Sequence, residues 1–281
     1  MQIPFVGADA VSSGELTPSA LRRRYRAIYR GVYVPAEHQI SQRDRLTGLM
    51  LAVPDAVVTG VAASAVHGAK WVDVETPIEI ISATRPQAGL IRRRESLLPD
   101  EMTMVSGIRV TTVARTAFDL ARHLPRDNAV ARLDALMRAR PFTHCDILAI
   151  AEDHPGLRGL RRLRVALPLV DGGAESPRET WLRLIFIDAG LPAPTTQVVV
   201  HDENGRYVRR IDMAWKQFKI GAEYDGDIHL TSRKTYVNDV LVARVLHRLG
   251  WHVIHVVKED RRRDIVEEAR TALLARGWVP E

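Results

Sequence analysis

Asp212 and Glu223 stand out first, because each interrupts an otherwise apolar stretch, in VRRIDMAW and FKIGAEYDG. A carboxylate in such a place is costly unless a partner or a metal ion neutralises it. Ten residues separate the two, a spacing that fits two neighbouring strands with a short connection. Acids on adjacent strands can bring their oxygens together around one ion. Mg2+ (or Mn2+) suits that arrangement, since it takes hard oxygen ligands and keeps water in its remaining positions. The ion would polarise a scissile phosphate and lower the pKa of the attacking water. Asp225 lies two residues beyond Glu223, on the same strand face. His229 follows just past Gly226, and an imidazole titrates near enough to neutrality to act as a general base or to hold a phosphate. Plainer readings stand beside these: a chance acidic pair on solvent-facing strands, a turn at Asp225-Gly226, and a loop histidine.

The elements that would position these residues can be read from the chain after Gly172-Gly173, where composition breaks. SPRETWLRLIFIDAG predicts a helix: Ser176 caps it, Pro177 takes its first position, and Glu179 completes a capping box. TTQVVVHD predicts a strand, and VRRIDMAW and FKIGAEYDG predict two more, joined by the short KQ connection. A helix through TYVNDVLVARVLHRLG, a buried strand in WHVIHVV and a closing helix in RRRDIVEEARTALLARG follow. The predicted order is α-β-β-β-α-β-α. Trp181, Trp215 and Trp251 read as core.

The first half reads as mainly helical. A helix in LTPSALRRRY starts at Thr17 and Pro18 and is followed by a strand in IYRGVYVP. Residues 43 to 52 read as a helix, VVTGVAASAVHGAKW as a small-residue helix and PIEIIS as a strand. Residues 108 to 123 read as a strand and then a helix, with another helix over 126 to 140. DHPGLRGLRRLRVAL predicts a turn and a basic amphipathic helix. His67, His123 and His154 lack metal-ligand spacing and read as ordinary surface or core residues.

Composition is that of a soluble globular protein, with no apolar run long enough to span a bilayer, and the order of predicted elements gives an α/β fold class. The N-terminus lacks the pattern of a signal peptide. A single cysteine, Cys145, excludes an internal disulfide framework, so a cytoplasmic location is expected. Lys+Arg minus Asp+Glu is 40 − 34 = +6, and the basic residues are mainly arginine. Such a chain approaches phosphate polymers readily.

The IDMAW segment, EYDGDIH and the helix-Gly-strand run NDVLVARVLHRLGWHVIHV together resemble the PD-(D/E)XK nuclease superfamily, within it the group related to the very-short-patch repair endonuclease. The resemblance spans residues 174 to 275 and includes S-P-x-E, which is similar to a T-P-x-E element that carries an acid to the metal site. It implies a restriction-endonuclease-like mixed sheet flanked by helices. It also implies a catalytic set of Asp212, Glu223, Asp225, His229 and Glu179, with Asp212, Glu223 and Glu179 as metal ligands. Asp225 stands where the superfamily has lysine. Val242 and His255 stand where the group tends to have arginine. Lys219 and Lys258 are the lysines available to supply a cation.

ALRRRYRAIYRGVYVP resembles the end of a winged-helix element in AbiE-type abortive-infection antitoxins, and the segments from AVVTGVAASAVHGAKW to GIRVTTVARTAFDLAR resemble the domain that follows it there, over residues 14 to 140. DNA binding through Arg22, Arg23, Arg24, Arg26 and Arg30 is implied, and the basic helix adds Arg158, Arg161 and Arg162. The expected organisation is a partial winged-helix-like element over 1–40, an AbiEi-like α+β domain over 41–172 and an endonuclease-like domain over 173–281. The leading expectation is a Mg2+-dependent DNA endonuclease or nickase. The alternative is a catalytically inactive DNA-binding regulator of the antitoxin kind, in a repair, phage-defence or toxin-antitoxin setting. The expected partners are DNA, and a cognate toxin or a second copy of the chain.

Overall fold

The computed structural model describes residues 2–226 and 233–280. Among them the chain forms twelve strands in three sheets and eleven α-helices, an α/β architecture. Backbone packing divides it into two compact units: Met1–Leu124 with Ala139–Leu163, and Pro125–Arg138 with Arg164–Glu281.

The first unit opens with β1 (Phe5–Val6), α1 (Gly7–Ser12), α2 (Pro18–Arg24), β2 (Tyr25–Tyr29) and β3 (Val32–Pro35). The strands form an antiparallel sheet in the order β1-β3-β2. Thr17 caps α2 by accepting the Ala20 N–H, and Pro18 fills its first turn, where a missing N–H costs nothing. α3 (Gln42–Ala52) starts at a capping box of Ser41 and Asp44.

A five-stranded mixed sheet follows, where the sequence pattern predicts mostly helix. It is built from β4 (Val57–Thr59), β5 (Ile78–Ile81), β6 (Leu90–Arg93), β7 (Met102–Val105) and β8 (Ile108–Thr111), in the order β6-β5-β4-β8-β7. Helix α4 (Gly60–Val66) follows β4 directly. The small-residue run read as one helix is therefore a strand and then a helix. Val57, Val58 and Thr59 are β-branched, stiff at χ1 and fully packed between β5 and β8. The chain switches at Gly60, which sits at φ +61. A β-carbon there would also collide with the Glu79 carboxylate, so the position demands glycine twice over. Helix α5 (Val113–His123) is buried along most of its length.

Helix α6 (Arg126–Ala139) lies with the second unit, α7 (His144–Asp153) with the first, and α8 (Leu160–Ala166) crosses the division. In the second unit, α6 is anchored by Asp134. That carboxylate accepts from the Asp171 N–H at 2.7 Å, Thr180 Oγ1 at 2.8 Å and Arg183 Nη2 at 2.9 Å.

The rest of this unit runs α9 (Pro177–Asp188), β9 (Thr195–His201), β10 (Tyr207–Trp215), β11 (Ile220–Tyr224), α10 (Arg233–Arg248), β12 (His252–Val256) and α11 (Arg262–Ala275), the α-β-β-β-α-β-α order expected. Its sheet reads β12-β11-β10-β9, antiparallel except for the parallel β11–β12 pair. One apolar cluster joins Leu182, Ile185 and Phe186 of α9 to Met213, Trp215, Ile254 and the inner face of α11. A second joins Val198, Val200, Ile211 and Ala214 to Leu246 of α10. Trp215 is buried, and Trp181 and Trp251 pack against these clusters. No helix among the described residues is long and apolar enough to cross a membrane.

Candidate functional site

Strands β10 and β11 pair from Trp215↔Ile220 to Met213↔Ala222, and the pairing ends there. Beyond it β11 stays with β12 through Tyr224↔Val256, and Asp225 N–H continues to the Val256 carbonyl at 2.8 Å. The Tyr224 N–H, left without a backbone acceptor on β10, donates instead to Asp212 Oδ2 at 3.0 Å. The regular ladder thus stops one residue short of the Asp212–Glu223 position, and the Asp212 side chain takes the place of a backbone acceptor there. On its other side Asp212 faces Gln197, the one β9 residue at positive φ (+51). A non-glycine residue held there is strained.

Asp212 lies within electrostatic range of both Glu179 and Glu223. Burial pushes the Asp212 carboxyl up to about 6, helped by the negative charges of Glu179 and Glu223, while the Tyr224 N–H and Arg209 pull the other way. Glu223 is 3% exposed. Asp225 Oδ2 lies 3.0 Å from His255 Nδ1 on β12. Ligand atoms of Glu223, Asp225 and His255 all fall within 4.8 Å of one another. His229 lies outside the described residues.

Arg209 is the residue that sequence reasoning missed. From β10 its guanidinium grips both oxygens of Glu223, Nε to Oε1 at 2.7 Å and Nη2 to Oε2 at 2.6 Å. A forked, charge-assisted pair of this kind is among the strongest side-chain contacts. Its signal is present in VRRID, a basic pair leading into the acid on the same strand, but in sequence such a pair reads as surface charge. Glu179 is also engaged. Ser176 Oγ accepts the Glu179 N–H at 3.2 Å, but the Glu179 carboxylate reaches past Ser176 to the Glu175 N–H at 2.8 Å and accepts Gln197 Nε2 at 3.0 Å. The capping box is thus half formed, and Glu179 ties the start of α9 to β9. Lys219 donates to the Leu249 carbonyl at the end of α10, and Lys258 is exposed on the loop after β12. Glu223 is taken by a guanidinium and Glu179 by two donors, so neither carboxylate can hold a metal ion without giving up those contacts.

The first unit carries a second charged centre, around α5. Arg115 is fully buried, and it meets Glu101 at 2.6 Å, Glu95 at 3.1 Å and Asp119 at 3.2 Å. Arg122 bridges Asp119, at 2.8 Å, and Glu95. Thr59 Oγ1 donates to Asp119 at 2.6 Å, His154 Nε2 lies 2.7 Å from Glu101, and His123 Nε2 lies 3.3 Å from Glu95. Burial alone would raise Glu95, but His123 and Arg122 outweigh it and hold the carboxyl at about 2. His123 and His154 are therefore hydrogen-bonding partners of largely buried acids and not ordinary surface or core residues. Glu95, Asp119 and His123 are close enough to share a cation, but two guanidinium groups already lie among these acids.

The predicted DNA-contacting arginines are all exposed. Arg22, Arg23 and Arg24 end α2, and Arg26 and Arg30 lie on the β2–β3 hairpin, which turns at Gly31. Arg26 Nη2 also donates to the His38 carbonyl at 2.6 Å. Arg158 precedes α8, while Arg161 and Arg162 lie on it.

A profile of the AbiEi antitoxin C-terminal domain matches residues 76–169, later in the chain than the 14 to 140 stretch expected. Two uncharacterized proteins of Mycobacterium tuberculosis, from strains CDC 1551 / Oshkosh and ATCC 25618 / H37Rv, are each 34% identical over 180 residues. Those residues make up 64% of this chain and 65% of each relative, so the match spans just under two thirds of the relatives' length. No solved structure matches significantly. The comparisons support similarity to an antitoxin domain and offer nothing in favour of a nuclease.

Proposed function

We propose that this chain is a DNA-binding regulator of the antitoxin kind, in which the first unit does the work. The antitoxin-domain match over 76–169 carries the reading. It is supported by the order β1-α1-α2-β2-β3 with its antiparallel sheet, the order of a helix-turn-helix followed by a wing. In such modules the second helix enters the major groove and its neighbours contact the backbone. The exposed Arg22, Arg23 and Arg24 of α2 and Arg26 and Arg30 of the hairpin supply phosphate contacts, which position a protein on a duplex without reading its sequence. The other partner is a cognate toxin, inferred from the family alone.

A second reading, a Mg2+- or Mn2+-dependent endonuclease, is favoured by one observation: Asp212 and Glu223 lie within electrostatic range of each other just past the end of the β10–β11 ladder, on a mixed four-stranded sheet between α9 and α10. Against it, Arg209 occupies the acid that would hold the ion. One experiment separates the two. Fluorescence anisotropy compares DNA from upstream of the protein's own gene with unrelated duplex. Supercoiled, linear and single-stranded DNA are incubated in parallel with Mg2+, Mn2+ or EDTA, beside Asp212→Ala and Glu223→Ala. Preferential binding of the upstream DNA, without cleavage and unchanged in both variants, is expected. Metal-dependent nicking abolished in both variants would replace this reading with the nuclease.

A further inference from the structure

The acidic centre of the second unit is built like a cation site, and the cation it holds belongs to the chain. Glu223 is 3% exposed at the end of β11, and a lone buried carboxylate would be unstable there. Arg209 meets it with two parallel hydrogen bonds, at 2.7 and 2.6 Å, one to each oxygen. The same guanidinium reaches Asp239 of α10 at 3.4 Å. Asp225 and His255 stand on the other side of Glu223, with His255 Nδ1 3.9 Å from Glu223 Oε2. Arg209 is itself about one third exposed (31%), and the Asp239 contact at its outer edge is long. It is therefore fixed at the acid, with its outer edge open to solvent.

We propose that Arg209 is the resident counter-cation of this centre, and that a divalent ion binds Glu223 with Asp225 and His255 only when Arg209 has left. Two carboxylates and an imidazole make a mixed oxygen and nitrogen set, which suits Mn2+ or Zn2+ better than Mg2+. Arg209 then excludes the metal by holding the competent state at low population, and the apparent affinity falls in proportion. The inference concerns metal binding alone and holds whether the chain regulates DNA or cleaves it.

The test is Mn2+ binding to the full-length protein, read by the loss of the free-ion paramagnetic resonance signal. The comparison is between wild type, Arg209→Ala, Arg209→Lys and the double variant Arg209→Ala with Glu223→Gln. Arg209→Ala should bind one Mn2+ about tenfold or more tighter than wild type, and the double variant should lose the gain. Melting in EDTA should show Arg209→Ala less stable than wild type, and Mn2+ should restore it. Arg209→Lys keeps one charge but cannot span both oxygens, so it should bind Mn2+ at an intermediate level. It also carries the test if the alanine variant does not fold. Equal Mn2+ affinity in wild type and either folded single variant would overturn the proposal. So would a gain that survives Glu223→Gln. DNA anisotropy on the same samples reports the regulator reading separately.

Discussion

Replacing Arg115 with alanine tests whether the charged centre of the first unit holds its fold together. The side chain is fully buried, and its three nitrogens meet Glu95, Glu101 and Asp119 at 3.1, 2.6 and 3.2 Å. It also contacts the Ser96 carbonyl at 3.3 Å. Arg122 remains in the variant, so Asp119 and Glu95 keep a cation, but Glu101 is left with the His154 imidazole alone among its side-chain partners. Removing one member of a buried ion pair costs about 3–5 kcal/mol, because the other charge stays behind unpaired. For a unit of this size that is roughly 10 °C of melting midpoint. Urea unfolding followed by circular dichroism gives the global cost. Hydrogen exchange of the α5 amides assigns it to this unit, since such exchange reads local opening free energies. The decisive comparison is the double variant. Adding Glu101→Gln to Arg115→Ala removes the orphaned charge and should recover about 1–3 kcal/mol, the coupling typical of contacting residues. A loss under about 1 kcal/mol for the single variant, or no recovery in the double variant, would refute the claim that this network is stabilised by charge balance.

Three further outcomes follow from named contacts. Burial pushes Asp134 up to about 6, so the folded state takes up its proton more readily than the unfolded chain. Stability from this group is therefore greatest below pH 4 and is lost as pH rises toward 6, by at most about 3 kcal/mol. Wild-type urea midpoints should fall relative to Asp134→Asn between pH 4 and 7, and a constant difference counts against the assignment. Gly60→Ala combines φ +61 with a collision at Glu79 and should cost well over the roughly 1–2 kcal/mol of a left-handed alanine. Gly205→Ala, at φ +76 with open space around it, should cost no more than that, and equal melting points would contradict the close approach. Alanine at Arg22 and Arg26 together should weaken DNA binding. The slope of log K against log salt should flatten by about 0.9 for each phosphate that the protein no longer neutralises. An unchanged slope moves the DNA-binding face elsewhere.

The second unit is legible in sequence because its signals are local. Ser176 and Pro177 mark the start of α9, and single acids within apolar stretches mark β10 and β11. The five-stranded sheet is not legible for the opposite reason. A three-residue strand such as Val57–Thr59 is too short to show a period, and it runs straight into small residues that favour helix. The Arg115 network is hidden because burial is a tertiary property. Arg115, Asp119 and Arg122 recur at i, i+4 and i+7, which in sequence is the mark of a solvated, salt-bridged helix face. In the structure all three are buried, with Glu95 and Glu101 closing over them.

Basic composition points outward, to phosphate polymers, and the structure divides that charge. The chain has 35 arginines among its 40 basic residues, and a consistent subset faces inward. Arg93 pairs with Glu79, Arg115 and Arg122 with the acids around α5, Arg183 with Asp134, and Arg209 with Glu223. In each case the acid is nearly or fully buried, and in most the arginine comes from the same helix or a neighbouring strand. A guanidinium suits this role where an ammonium does not, since it is weakly hydrated, always charged, and forks onto a carboxylate. The net charge of +6 therefore says less about nucleic acid than where the outward-facing arginines lie. Those of α2 and the β2–β3 hairpin are exposed on consecutive elements, and no salt bridge among the described residues engages them. Beside the antitoxin-domain match, the DNA-binding reading draws on those arginines for this reason, and not on the charge of the whole chain.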